Sequence, residues 1–135
     1  MYSNILVPIA FDNAHESAPS IKVAQLLASK GAKISILHVF EEIPEYASNY
    51  LPDGFRENAR AQAEKALVEV ASTVAGAEAH VVSGHAGRTI LEWAQSHQND
   101  LIVIASHRPG LQDYFLGSTA SRVVRHAKCG VHVLR

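Results

Sequence analysis

Cysteine is almost missing from this chain of 135 residues, in which Cys129 stands alone. A single thiol cannot form an internal disulfide, and this fits a reducing compartment. Long apolar runs are missing too, since no stretch approaches the ~18 apolar residues that a membrane span requires. The N-terminus also shows no basic segment followed by an apolar one. We therefore expect a cytoplasmic protein that does not enter a membrane.

An excess of charge of one sign is also missing. The sequence has 12 Lys and Arg residues against 13 Asp and Glu residues, a net charge of -1 with neutral histidines. This balance gives no long-range attraction to nucleic acid or to an anionic membrane, so neither is expected as a partner. No internal repeat, low-complexity segment or linker interrupts the chain. Residues 1–135 are therefore expected to form one globular domain.

What the chain does contain is a regular alternation of strand and helix patterns. Short apolar segments rich in β-branched residues predict strands at 5–9, 33–39, 79–82, 101–105 and 131–134. Helical periodicity predicts helices at 17–30 (closed by Gly31), 54–75, 88–98 and 118–126. Such an alternation implies an α/β fold: a three-layer, doubly wound, parallel sheet of five strands. Ligands of such sheets bind beyond the carboxyl ends of the strands.

The loop after the fourth strand is the most informative segment. It leads to Gly117, Ser118 and Thr119, where a helix is predicted to begin. Backbone N–H groups at a helix N-terminus, a glycine that permits close approach and two hydroxyls form a site suited to phosphate. The competing interpretation is that Ser118 or Thr119 only caps the helix.

Catalytic and metal-binding patterns are largely absent. The eight histidines include His80, His97 and His132, which lie on different predicted elements without the spacing of metal ligands. No nucleophile, histidine and aspartate stand in a hydrolase context, and no Walker A lysine is present. We expect no resident metal and, at most, slow turnover. His107 is the exception, since it lies in the loop before Gly117 and could contact a phosphate when protonated.

Segments spread along the whole chain resemble the universal stress protein family. They are Ile-Leu-Val-Pro-Ile at 5–9, Leu-His-Val at 37–39, the strand at 100–105, Gly-Ser-Thr at 117–119 and the C-terminal residues 125–135. The sequence Ala-Ser-His-Arg-Pro, followed by Leu-Gly-Ser, resembles a subgroup of short bacterial members with a variant loop. The resemblance implies a Rossmann-like fold of the adenine nucleotide α-hydrolase type that binds ATP.

Two loops depart from the family's nucleotide-binding pattern, at three positions. That pattern places two glycines before the final Gly-Ser or Gly-Thr, but here Ala105 and Arg108 stand in their places. Arg108 could add a forked donor to a phosphate. The family's aspartate after the first strand is replaced by Ala10, and a two-residue insertion would leave Asp12 at the site. Asp12 is then expected to bind the ribose or a Mg²⁺ ion on the phosphates, or else to cap the first helix.

The resemblance implies the remaining contacts. Residues after the first strand would line the adenine edge, Val39 would contact the base, and Gly84 would let the backbone approach the ribose or serve as a turn glycine. The expected nucleotide-binding set comprises Pro8, Ile9, Ala10, Asp12, Val39, Gly84, Ala105, Ser106, His107, Arg108, Gly117, Ser118 and Thr119.

The leading functional hypothesis is an ATP-binding, stress-response regulatory protein, with AMP or ADP as possible ligands. The alternative is a nucleotide-free dimeric interaction module that has lost binding through Ala10, Ala105 and Arg108. A third possibility is an enzyme that uses ATP to activate a substrate, which the lack of a second substrate-binding domain disfavours. A homodimer is expected through the last strand, Val131 to Leu134, because an open edge strand presents unpaired backbone groups and because many family members pair in this way.

Overall fold

The computed structural model describes residues 1–10, 17–41, 44–106 and 116–135. The helices and strands follow one another as β1 (Tyr2–Pro8), α1 (Ser17–Leu27), β2 (Ala28–Phe40), α2 (Glu45–Ser48), α3 (Phe55–Ser72), β3 (Ala77–Ser83), α4 (Ala86–Ser96), β4 (Leu101–Ala105), α5 (Ser118–His126) and β5 (Gly130–Leu134).

All five strands form one parallel sheet in the order β3-β2-β1-β4-β5. The chain adds strands outward from β1 on one side and then returns to add β4 and β5 on the other. The order of the strands therefore reverses between β1 and β4. This confirms the predicted doubly wound α/β fold, and it places the switch point of the sheet beside its first strand.

Apolar side chains form two layers, one on each face of the sheet, between the strands and the helices. Along β1, Ile5 and Val7 pack on one face while Leu6 packs on the other, as the two-residue period of a strand requires. The first layer includes Ile21 of α1 and Leu67 of α3. The second is completed by Ile90 and Ala94 of α4 with Ala120 and Val123 of α5. The result is the expected three-layer arrangement.

The predicted end of the first helix was wrong. α1 ends at Leu27, and Ala28 already pairs with Tyr2 as the first residue of β2. The ladder shifts register between Tyr2 and Asn4, and Gly31 (φ +78°) accommodates the irregular backbone within β2. The helical periodicity of residues 17–30 could not reveal this boundary, because residues 28–30 belong to β2, which pairs with β1, instead of forming the last helical turn.

Other boundaries also differ from the predicted ones. α3 stops at Ser72, three residues before the predicted end, and the connection at 40–53 contains the short helix α2. α4 begins earlier than predicted, because His85 caps it: its Nδ1 accepts from the Arg88 N–H at 3.5 Å. None of the helices in the described part of the chain is both long and apolar enough to cross a membrane.

Asp100 fixes β1 against β4 at the amino ends of these strands. Its carboxylate accepts hydrogen bonds from the backbone N–H groups of Ser3 (2.9 Å) and Asn4 (3.0 Å) and from the Ser3 hydroxyl (3.1 Å). Partial burial raises the pKa of Asp100, but these hydrogen bonds outweigh burial and hold the pKa below its ordinary value of 3.8. The Asp100 carboxylate therefore helps to set the relative position of β1 and β4, the two strands that flank the switch point.

Candidate functional site

A cavity of about 470 Å³ opens at the carboxyl ends of β1, β2 and β4. This volume lies within the usual range of small-ligand pockets, and the position is the one that the fold predicts. The lining residues are Pro8, Ile9, Ala10, Leu37, His38, Val39, Phe40, Glu41, Ala86, Ile90, Ile104, Ala105, Ser106, Gly117, Ser118, Thr119 and Ala120.

One side of the cavity is mainly apolar. Pro8 ends β1, Ile9 and Ala10 follow it, and Val39 lies near the end of the neighbouring strand β2. The Ile9 N–H donates to the Leu37 carbonyl at 2.8 Å, so the β1–β2 ladder continues one residue beyond β1. The structure therefore brings together the four residues that the sequence analysis assigned to a base.

The opposite side is the N-terminus of α5. Gly117 holds the N-cap position and has no side-chain cap, while Ser118 and Thr119 begin the helix. The competing interpretation required Ser118 or Thr119 to cap the helix, and neither residue occupies the N-cap position. The positive end of the helix dipole and its first N–H groups adjoin the cavity, where an anion would be stabilised.

Gly117 does not need to be glycine for backbone reasons. Its φ of -60° and ψ of 158° are open to any residue. Among the described residues, a Cβ atom added there would meet only the Ser106 carbonyl oxygen, at 3.6 Å, which is an ordinary contact. No other described residue crowds the Gly117 backbone, which lines the cavity.

Ser106 joins the cavity to the last strand. It is buried, its N–H donates to the Leu134 carbonyl at 2.8 Å, and its hydroxyl lies 3.4 Å from the same oxygen. Ala105, which ends β4, pairs with Leu134 in the β4–β5 register. The ladder between β4 and β5 thus extends to the wall of the cavity.

Four expected site residues are not found among the described residues that line the cavity. Gly84 has φ +145°, and a Cβ atom there would lie 2.6 Å from the Thr89 hydroxyl, so packing in its own turn accounts for the glycine. Asp12, His107 and Arg108 lie outside the described residues.

Sequence reasoning missed lining residues on four elements. They lie at the end of β2 or just after it (Leu37, His38, Phe40, Glu41), in the first turns of α4 (Ala86, Ile90), in β4 (Ile104) and in α5 (Ala120). The end of β2 could have been found from the rule that ligands sit beyond the carboxyl ends of strands. The contribution of α4 depends on how that helix packs, which its inward stripe alone does not reveal.

The described wall of this cavity carries little charge. Glu41 is the one carboxylate among the described lining residues, and they include no lysine or arginine. No group of three or more metal-ligating side chains occurs within residues 1–10, 17–41, 44–106 and 116–135. In the described part of the wall, an anion would therefore depend on backbone N–H groups and hydroxyls.

The chain belongs to the universal stress protein family, whose model matches residues 1–135. It is 33% identical to universal stress protein A homolog 2 of Coxiella burnetii, over 99% of this chain and 95% of that protein. It is 31% identical to universal stress protein G of Escherichia coli O157:H7, over the full length of both. Similarity at full length agrees with the whole-chain resemblance seen in the sequence.

Solved structures of the family share the fold. The universal stress protein UspA from Lactobacillus plantarum aligns with a TM-score of 0.71 and 28% identity, over 99% of this chain and 98% of that one. The protein from Archaeoglobus fulgidus, solved with dAMP, has a TM-score of 0.63 at 19% identity, over 99% and 98% of the two chains. A family protein from Arabidopsis thaliana, solved with AMP, has a TM-score of 0.63 at 19% identity, over 98% and 90%.

Proposed function

We propose that this protein binds ATP in the cavity at the carboxyl ends of β1, β2 and β4. The observation that carries the proposal is the pairing of two unlike walls in one cavity. The apolar wall at Pro8, Ile9 and Val39 suits a purine, and the uncapped N-terminus of α5 suits phosphates. AMP or ADP would bind in the same cavity as ATP and would place fewer phosphates at the N-terminus of α5.

Family membership supports the adenine part of the proposal. Structures of similar fold were solved with AMP and with dAMP, and another universal stress protein was solved with cAMP. Those ligands share adenine, a ribose or deoxyribose ring and a phosphate. The proposal assigns the base to the residues after β1 and at the end of β2, and the phosphates to residues 117–119. Asp12, Arg108 and His107 are proposed to complete the phosphate side, with Mg²⁺ near Asp12.

The proposed role is regulatory, with slow or no turnover. The sequence offers no Walker A lysine and no clear general base to activate water, so bound ATP would act mainly as a signal. We place this activity in the cytoplasm, in keeping with the single cysteine. We further propose a homodimer joined through β5, which is an edge strand of the sheet.

The decisive experiment is to denature the protein after native purification and to identify any released nucleotide by chromatography. ATP should then be titrated with and without Mg²⁺ while the unfolding temperature is recorded. A ligand at ~100 times its dissociation constant adds about 2.7 kcal/mol to the free energy of unfolding. Adenosine should stabilise the protein less than ATP. If no nucleotide is released and none raises the unfolding temperature, ATP binding is refuted and the dimeric interaction module takes its place.

A further inference from the structure

His38 lies where the two strands that form the apolar wall meet. It is a residue of β2, opposite Val81 of β3, and it is half-buried at the edge of the cavity. The Phe40 ring stands edge-on to the imidazole, with ring centroids 6.3 Å apart and planes at 82°. The imidazole is therefore placed by packing rather than left to rotate in solvent.

The His38 ring holds the carbonyl of Ile9. Its Nδ1 atom lies 2.9 Å from the Ile9 carbonyl oxygen, and the Ile9 N–H donates to the Leu37 carbonyl at 2.8 Å. A carbonyl oxygen can only accept, so Nδ1 must carry the proton and donate. Both backbone polar groups of Ile9 are thus bound to consecutive residues of β2.

This clamp comes where the β-ladder ends. Pro8, the last residue of β1, has no N–H to contribute, and Ile9 is buried at 8% exposure. A buried carbonyl without a partner is costly, so the His38 side chain supplies the donor beyond the regular ladder. The clamp fixes the path of the backbone through Ile9 into Ala10, and both residues line the cavity.

We propose that His38 is a positioning residue for the base of the bound nucleotide. It holds the Ile9 carbonyl and so keeps the wall formed by Ile9 and Ala10 in the shape that receives the base. This inference rests on the proposed function, because it assigns a role within the same site. It predicts that only a side chain with a donor at the position of Nδ1 can replace His38.

Two amide variants separate the hydrogen bond from the bulk of the ring. In His38→Asn the amide nitrogen can take the position of Nδ1, whereas in His38→Gln it lies one bond further out. We expect His38→Asn to bind AMP within about threefold of the wild type, and His38→Gln to lose about tenfold. AMP and ATP should lose affinity by the same factor, because a defect at the base does not depend on the number of phosphates.

Calorimetry of AMP and ATP binding, with unfolding temperatures recorded for each variant, tests this role. His80→Gln is the matched control, since His80 lies on β3 and does not line the cavity. Equal affinities in wild type and His38→Gln would overturn the inference, as would equal losses in both His38 variants. A wild type that binds neither nucleotide would instead refute the proposed function and, with it, this role.

The tautomer can be measured directly in the wild type. Nitrogen-15 NMR of the imidazole should show the proton on Nδ1, which is the less common neutral form in free histidine. A spectrum with a bare Nδ1 and a protonated Nε2 would overturn the clamp independently of any ligand.

Discussion

At the scale of single residues, Gly117 offers the cleanest separation of binding from folding. Its backbone geometry is open to alanine, and within the described part of the chain the added Cβ meets only the Ser106 carbonyl oxygen at 3.6 Å. We expect Gly117→Ala to keep the wild-type unfolding temperature within a few degrees. It should weaken ATP binding at least tenfold, because the methyl group occupies the space in front of the α5 N-terminus. Calorimetric titration with ATP measures this loss.

Ser121→Ala is the control for the Gly117 variant. Ser121 lies in the same helix and does not line the cavity. Its variant should bind ATP like the wild type. If Gly117→Ala binds ATP as tightly as the wild type, the phosphates do not bind at the N-terminus of α5.

Asp100 is a residue whose charge supports the fold. Replacing it by asparagine removes the charged acceptor shared by Ser3 and Asn4, and we expect the free energy of unfolding to fall by about 2 kcal/mol at pH 7. Urea denaturation measures the change. Asp53→Asn, at an exposed loop position, should leave stability within about 0.5 kcal/mol of the wild type.

The sign of the pH dependence at Asp100 follows from its lowered pKa. A carboxylate with a folded pKa below the unfolded value contributes stability that is fully present above about pH 4. That contribution is lost as the pH falls through the folded pKa. The wild type should therefore approach the stability of Asp100→Asn at acid pH. A constant difference between the two down to pH 2 would show that Asp100 does not titrate as described.

At the scale of elements, α3 is attached to the edge strand β3 through Arg60. The guanidinium donates to the Val81 carbonyl at 3.0 Å and to the Ser83 hydroxyl at 2.7 Å, and its Nε donates to Glu64 at 3.3 Å. We expect Arg60→Ala to lower the free energy of unfolding by about 1 kcal/mol. The hydrogen bond to the Val81 carbonyl should contribute more of this than the exposed ion pair with Glu64. Thermal unfolding of Arg60→Ala measures this loss, and Lys65→Ala, at an exposed position of the same helix, is the control. Equal stability of the two variants would contradict it.

The elements were predicted well where local pattern and tertiary packing agree. β4 and α5 have the predicted bounds, since a buried apolar run and a helix following glycine are unambiguous signals. The end of α1 was missed because pairing of Ala28 with Tyr2 is a contact between distant residues. For the site, the resemblance pointed to Pro8, Ile9 and Val39, whereas Ala86 and Ile90 arrive through helix packing that no local pattern encodes.

At the scale of the whole molecule, the side chains of β5 alternate between the two apolar layers of the sheet. Val131 and Val133 pack against the layer of α4 and α5, and Leu134 packs against the other layer. The Gly130 N–H donates to the backbone carbonyl of Asp100, and the Leu134 carbonyl accepts from the Ser106 N–H. Backbone groups of even-numbered residues in β5 therefore face β4, and those of Val131 and Val133 face outward.

This alternation gives a sharp test of the proposed dimer. Val133→Pro removes an outward N–H and leaves the hydrogen bonds to β4, so we expect a folded monomer. His132→Pro removes an inward N–H and should destabilise the sheet itself. Sedimentation velocity and thermal unfolding distinguish these outcomes. A wild type that sediments as a monomer at micromolar concentration would refute the dimer.

The doubly wound order also determines when the cavity can form during synthesis. β1 pairs with β2 early in the chain, but its other neighbour, β4, begins at Leu101, and the register joins Ile5 to Leu101. The described walls of the cavity come from residues 8–10 and 37–41 on one side and from Ala86, Ile90, 104–106 and 117–120 on the other. Contacts between such distant segments close large loops and are slow to form. A nascent chain whose α5 is still inside the ribosome therefore lacks the wall at Gly117, Ser118 and Thr119, and a ligand that needs both walls would stabilise only a chain that is nearly finished.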